Sequence, residues 1–167
     1  MQRRMAMAAF LSLALAAFGC DSATEDTELF QTNLAGSNEV PGNGSAASGA
    51  CGLQIDGQRV LYSVEVHGLG NIIGAHIHVA PSGVNGPIRV VFIPSLTSAT
   101  VILPASEAIA VGEGVLTSGS FGPGDVRTIS FDQLLADIRA GNTYCNVHTT
   151  RFPGGEIRGN FARVASD

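Results

Sequence analysis

Between Cys51 and Val66 the chain alternates apolar residues with small or polar ones at a period of two, reversing at Asp56-Gly57. Cys51, Leu53 and Ile55 share one side of the first run, and Val60, Tyr62, Val64 and Val66 share one side of the returning run. Successive side chains of a strand point to opposite faces, so the pattern predicts a half-buried antiparallel hairpin. Glycine in the turn tolerates the positive φ that a tight reversal needs. Similar runs at Leu29–Leu34, Ala75–Val79, Ile88–Ile93, Thr100–Leu103 and Gly114–Phe121 predict further strands. A turn region at Gly36–Gly44, and Pro81, Gly83, Gly86 and Pro87, punctuate the loops between them. With 21 glycines and almost no long amphipathic segment, the composition points the same way. One helix is expected near 130–140. Ser130 is a suitable N-cap with Gln133 at capping-box spacing, Leu134, Leu135 and Ile138 form a stripe, and Gly141 closes it. The predicted fold is all-β, an antiparallel Greek-key-like β-sandwich carrying one short helix.

The N-terminus reads as an export signal over residues 1–20. Arg3 and Arg4 form a basic start, and the apolar run Met5 to Gly19 ends at Cys20. That run falls short of the roughly 20 residues a spanning helix needs. Ala17-Phe18-Gly19-Cys20 resembles a bacterial lipobox, whose cysteine carries lipid and begins the mature protein. An ordinary signal peptide ending near Cys20 is the alternative. Residues 21–28, rich in Thr, Glu and Asp, form a tether, residues 29–162 the β domain, and 163–167 a C-terminal tail. The expected location is the cell envelope, periplasmic or outer surface, with the lipid as membrane anchor. Beyond Cys20 remain 147 residues, enough for one domain. Of nine basic residues two lie in the leader, so seven face 14 acidic ones and the charge beyond Cys20 is −7. Lysine is absent. Such a surface argues against nucleic-acid binding.

Cys51 and Cys145 remain in the domain. In an exported protein two internal cysteines favour a disulfide. Closing a loop of about 90 residues would contribute on the order of 4 kcal/mol. Two separate buried thiols are the other possibility.

Strand alternation turns His76 and His78 away from Ala75, Ile77 and Val79, and His148 away from Cys145 and Val147. If the two strands are neighbours, the three imidazoles converge and suit copper or zinc. His-x-His also occurs in copper–zinc superoxide dismutase, but four histidines in the whole chain are too few for a bimetallic centre of that kind. A structural cluster, with ring nitrogens bonding backbone carbonyls, is the competing reading. His67 sits at a strand end and is expected to be exposed. Glu156 and Arg158 share a face, and an ion pair with a cross-strand charge such as Glu39 is expected to lock the Pro153-Gly154-Gly155 turn. No serine or cysteine nucleophile motif, phosphate-binding loop or paired carboxylates stand out, so no catalysis is expected.

Three tracts carry a resemblance. They are Leu34-Ala35-Gly36-Ser37-Asn38-Glu39-Val40-Pro41, then Ala75 to Val79, then Tyr144 to Phe161, which contains Asn146, Thr149, Pro153, Gly154, Gly155, Glu156, Arg158 and Gly159. In this order they resemble the CHRD domain, the module repeated in chordin and found alone in many bacterial secreted proteins. The resemblance covers about Leu29 to Phe161. It implies a fold and an extracytoplasmic binding or structural role, with an unknown protein or matrix component as partner. It names no ligand and no certain cofactor.

Overall fold

The structure is a computed structural model in which residues 27–110 and 112–165 are described. Cys20, the expected signal segment 1–20 and nearly all of the tether 21–28 lie outside that range. The chain runs through β1 (Glu28–Ala35), β2 (Ser48–Asp56), β3 (Arg59–His67), β4 (Ile72–Val79), β5 (Ile88–Ile93) and β6 (Glu113–Phe121). Helix α1 (Phe131–Arg139) follows, then β7 (Thr143–Thr149), β8 (Ile157–Asn160) and β9 (Ala162–Arg163). Three short 3-10 turns complete the elements. The hairpin legible in the sequence is β2–β3. Cys51 faces Val64, Leu53 faces Tyr62 and Ile55 faces Val60, and all six are buried. Gly57 takes φ 55° in the turn.

Every pairing is antiparallel, in the order β5-β4-β7-β8-β1-β2-β3-β6, with β9 beside β1. The halves β5-β4-β7-β8 and β1-β2-β3-β6 join through a single β8–β1 pair, Arg158 with Ala35. They then face one another. Phe92 of β5 stacks on Tyr62 of β3 with ring centroids 4.0 Å apart, and Phe121 of β6 lies within 6.3 Å of both rings. The sheet is therefore nearly closed, a sandwich still bonded along one side, and the expected all-β architecture holds. Beside Phe121, Phe131 brings α1 into the same core at 6.4 Å, with Leu134, Leu135 and Ile138 buried beneath the helix. Ser130 Oγ accepts the Gln133 N–H at 3.1 Å, as its spacing predicts. The Gln133 side chain donates onward to Asp137 at 3.4 Å, leaving the reciprocal half of the capping box unmade.

The segment Thr100–Leu103 is not a strand, contrary to expectation. From Ala75 to His78, β4 already has β5 on one edge and β7 on the other, so no ladder position is open there. The segment instead lends single backbone groups: the Leu103 N–H donates to Ile73 O at 2.7 Å. Past Phe161 the chain adds β9, whose Ala162 and Arg163 pair with Gln31 and Phe30.

Cys51 and Cys145 are free thiols, both buried, and the expected disulfide is not formed. They come from opposite halves of the sandwich. Burial, and then the neighbouring Cys145 thiol, pushes the Cys51 thiol well above the ordinary range.

Candidate metal centre

Seven of the eight β4 residues and all seven of β7 are buried, so these strands are covered on both faces. One face is the apolar core, with Ala75, Ile77, Cys145 and Val147. The opposite face holds His76, His78, Tyr144, Asn146 and His148. The register places Gly74 opposite His148, His76 opposite Asn146 and His78 opposite Tyr144. Adjacency of the two strands, the open step in the sequence argument, is thus met. The face is not solvent-facing, however: His76, His78 and His148 are 0%, 8% and 6% exposed. Loop 80–87, the segment around Val101 and the turn at Pro153 cover it.

Those loops fix the rings through backbone carbonyls. His76 Nε2 lies 2.6 Å from Val101 O, His78 Nδ1 2.8 Å from Gly86 O, and His148 Nδ1 3.0 Å from Pro153 O. A carbonyl oxygen only accepts, so each of these nitrogens carries the proton and donates it. The other nitrogen of each ring then presents a lone pair. Those three atoms, His76 Nδ1, His78 Nε2 and His148 Nε2, are buried without a hydrogen-bond partner. One candidate ligand atom from each residue can be chosen so that all three lie within 4.8 Å of one another. A metal at Zn–N distances would draw such atoms to about 3.3 Å, a contraction of side-chain scale. Ring centroids are 4.8 Å apart for His76–His148, 5.6 Å for His76–His78 and 6.1 Å for His78–His148. A ring N–H held by a carbonyl while the other nitrogen points inward is the orientation metal-binding histidines use.

The rings are kept neutral. Burial lowers His76 to about 3, assisted by the charges of His148, His78 and Arg127. Burial lowers His78 to about 4, with His148 and Arg158 adding to it. His148 is lowered too, again chiefly by burial. Ligation requires neutral imidazole, so this environment supplies the competent state. Exposed His67 is unrelated to the cluster; it sits between Glu113, at 2.7 Å, and Glu65, at 3.4 Å.

The remaining motif residues build the layer around the rings. His78 stacks on Tyr144 at 4.7 Å, and the Arg158 guanidinium lies 3.4 Å from the centre of the Tyr144 ring. Arg158 donates to Asn85 Oδ1 at 3.0 Å and Val84 O at 2.7 Å, pinning the covering loop. Asn85 in turn donates to Val40 O at 2.7 Å, beside Pro41, which is itself exposed. Glu39 accepts from Asn146 Nδ2 at 2.6 Å. Burial raises Glu39 to about 7, against the opposing pull of Arg158 and the Asn146 hydrogen bond. Glu156 takes the hydroxyls of Ser45 at 2.6 Å and Thr149 at 2.5 Å. The expected ion pair locking the Pro153-Gly154-Gly155 turn is therefore replaced: Glu156 is held by hydroxyls, and Arg158 by a loop and an aromatic face. Among the described residues, the Arg–carboxylate pairs are those of Arg139 and Arg163 with Glu28.

Glycines set the close approaches. At Gly155, with φ 130°, a Cβ would lie 2.6 Å from both Asn146 Nδ2 and Glu39 Oε1. At Gly159 it would overlap Thr32 Oγ1 and Asn33 O. Gly154 has nothing within 4 Å. Gly74 was not singled out from sequence, yet a Cβ there would meet Ile102 Cδ1 at 2.8 Å and the His76 ring at 3.0 Å. Ser45, Asn43 and Asn85 were likewise missed. Asn43 donates to Gly155 O at 3.2 Å and to Glu156 O at 3.0 Å. Each lies in a loop and bonds a residue of the 155–158 segment more than 70 positions away in sequence, so no local pattern marks it.

No curated protein and no solved structure matches the chain. The sequence model of the CHRD domain matches residues 30–161, the span from Phe30 in β1 to Phe161 just after β8. It takes in the three histidines and the layer that holds them, and the chain belongs to the CHRD domain family.

Proposed function

We propose that this CHRD domain is a binding module of the cell envelope, working outside the cytoplasm without catalysis, and that what it holds is a copper or zinc ion at His76, His78 and His148. The observation that carries this reading is the set of three buried, unpartnered imidazole nitrogens on one face of β4 and β7. Leaving a buried polar atom unsatisfied costs about 1–3 kcal/mol. Three such atoms among neutral rings already oriented by carbonyls fit an ion better than they fit a dry core. Metal analysis of the purified protein, after loading with either ion and desalting, tests it. About one equivalent in wild type and none in His76→Ala or His148→Ala is expected; equal, weak retention by all three would refute it.

The second reading is a module that binds a protein or matrix component, with the histidines serving only as struts. It is favoured by the way Glu39, Asn146, Glu156 and Arg158 are spent on fastening loops. Placement in the envelope rests on the leader and on Cys20 as the lipidated residue. Several acyl chains hold firmly, at about 0.8 kcal/mol per buried methylene. Mass spectrometry of the mature N-terminus should find an acylated Cys20; an unmodified terminus after it would end the lipoprotein reading.

A further inference from the structure

We propose that the triad selects monovalent copper, Cu(I), and discriminates against divalent ions such as zinc through charge. The inference rests on the reading of the triad as a metal site. All three donors are neutral imidazoles whose N–H groups are committed to carbonyls. The fixed charge nearest the rings in the stack is positive: the Arg158 guanidinium lies 3.4 Å from the centre of the Tyr144 ring, which stacks on His78 at 4.7 Å. The carboxyls of the layer are engaged elsewhere, Glu39 with Asn146 and Glu156 with Ser45 and Thr149. A bound ion therefore brings its charge into a buried site without a facing anion. The cost of burying a charge grows as its square, so a divalent ion costs about four times as much as a monovalent one.

Zinc held by three histidines keeps a water or hydroxide in a fourth position, which can offset the charge. Here Ile102 Cδ1 and the His76 ring lie 2.8 Å and 3.0 Å from where a Cβ at Gly74 would stand, and His76 is fully buried. His78 and His148 are buried as well, at 8% and 6% exposed, so a fourth ligand drawn from solvent would itself have to be buried. Cu(I), a d10 ion satisfied by three donors, needs no fourth ligand, and imidazole is a suitable ligand for copper.

The test is an anaerobic titration of the protein with Cu(I) against a chromogenic Cu(I) chelator, and with Zn2+ against a fluorescent zinc chelator. It is run on wild type, His76→Ala, His148→Ala, His148→Gln and a Cys51→Ser/Cys145→Ser variant, each checked for its fold by circular dichroism. His148→Gln keeps the test decisive if the alanine variants fail to fold. The expected result is one Cu(I) per chain, weakened by roughly 100-fold in the histidine variants, unchanged in the cysteine variant and not displaced by a large excess of zinc. Zinc bound as tightly as Cu(I) and lost with the histidines would overturn the charge selection and leave the metal site standing. No binding of either ion at the histidines would overturn both. Cu(I) kept by the histidine variants and lost with the cysteines would place it at the thiols and overturn the proposal.

Discussion

Replacing Glu39 by glutamine removes the buried carboxyl of the polar layer while preserving an oxygen for Asn146 Nδ2, now at 2.6 Å. In the native protein Glu39 is raised from 4.5 to about 7. Between those values the folded state binds more protons at this site than the unfolded chain does. Its contribution to stability is therefore complete below 4.5 and is lost as pH rises through 7. At about 1.36 kcal/mol per decade the whole effect is about 3.4 kcal/mol, of which about 2.5 kcal/mol falls between pH 5 and pH 8. The assay is urea denaturation of wild type and Glu39→Gln at pH 5, 6, 7 and 8, with chelator present. Other titrations are common to both proteins and cancel in the difference. Relative to wild type, the variant should gain about 2.5 kcal/mol on going from pH 5 to pH 8. Parallel profiles, with a constant difference across that range, would refute the argument, because Glu39 would then titrate alike in folded and unfolded chains.

Three further outcomes are expected. The metal-free protein should lose stability on acidification through His76 and His78, whose neutral forms are favoured above 6.5 and are lost toward about 3 and 4; each contributes about 2 kcal/mol between pH 8 and pH 5. The Glu39→Gln background removes the opposing titration, and a flat profile there would contradict the burial of the rings. Gly155→Ala should cost about 2 kcal/mol or more, from its φ of 130° and the contacts with Asn146 and Glu39, whereas Gly154→Ala should stay within about 0.5 kcal/mol; equal losses in thermal melts would refute the distinction. Ser130→Ala, which removes the acceptor for the Gln133 N–H, should cost about 1 kcal/mol in the same melts, and no change would show that the cap is idle.

What the sequence made legible was whatever depends on local periodicity. The β2–β3 hairpin, α1 with its Ser130 cap, and the shared face of His76 and His78 follow from side-chain alternation or a short spacing. Convergence of His148 with them needed the pairing of β4 with β7, which local residues do not encode and which the family resemblance supplied. The two-sided burial of those strands was hidden because loops far away in sequence provide the second cover. The carbonyls of Val101, Gly86 and Pro153, which orient the rings, belong to backbone that any residue carries. Thr100–Leu103 has the composition of a strand and becomes a cover, since composition cannot tell that the neighbouring edges are filled. Glu156 and Arg158, opposite in charge and close in sequence, find separate partners, because an arginine can stack on Tyr144 and donate to loop oxygens as readily as it pairs.

The central claim concerns which nitrogen of each ring is free. Long-range proton–nitrogen NMR of the histidine-labelled, metal-free protein reads this directly. The account predicts neutral rings at pH 7, with the proton on Nε2 of His76 and on Nδ1 of His78 and His148. On addition of one equivalent of Cu(I) under anaerobic conditions, the unprotonated nitrogens should shift and the protonated ones keep their hydrogens. A different tautomer at any of the three positions, or spectra unchanged by the metal, would contradict it.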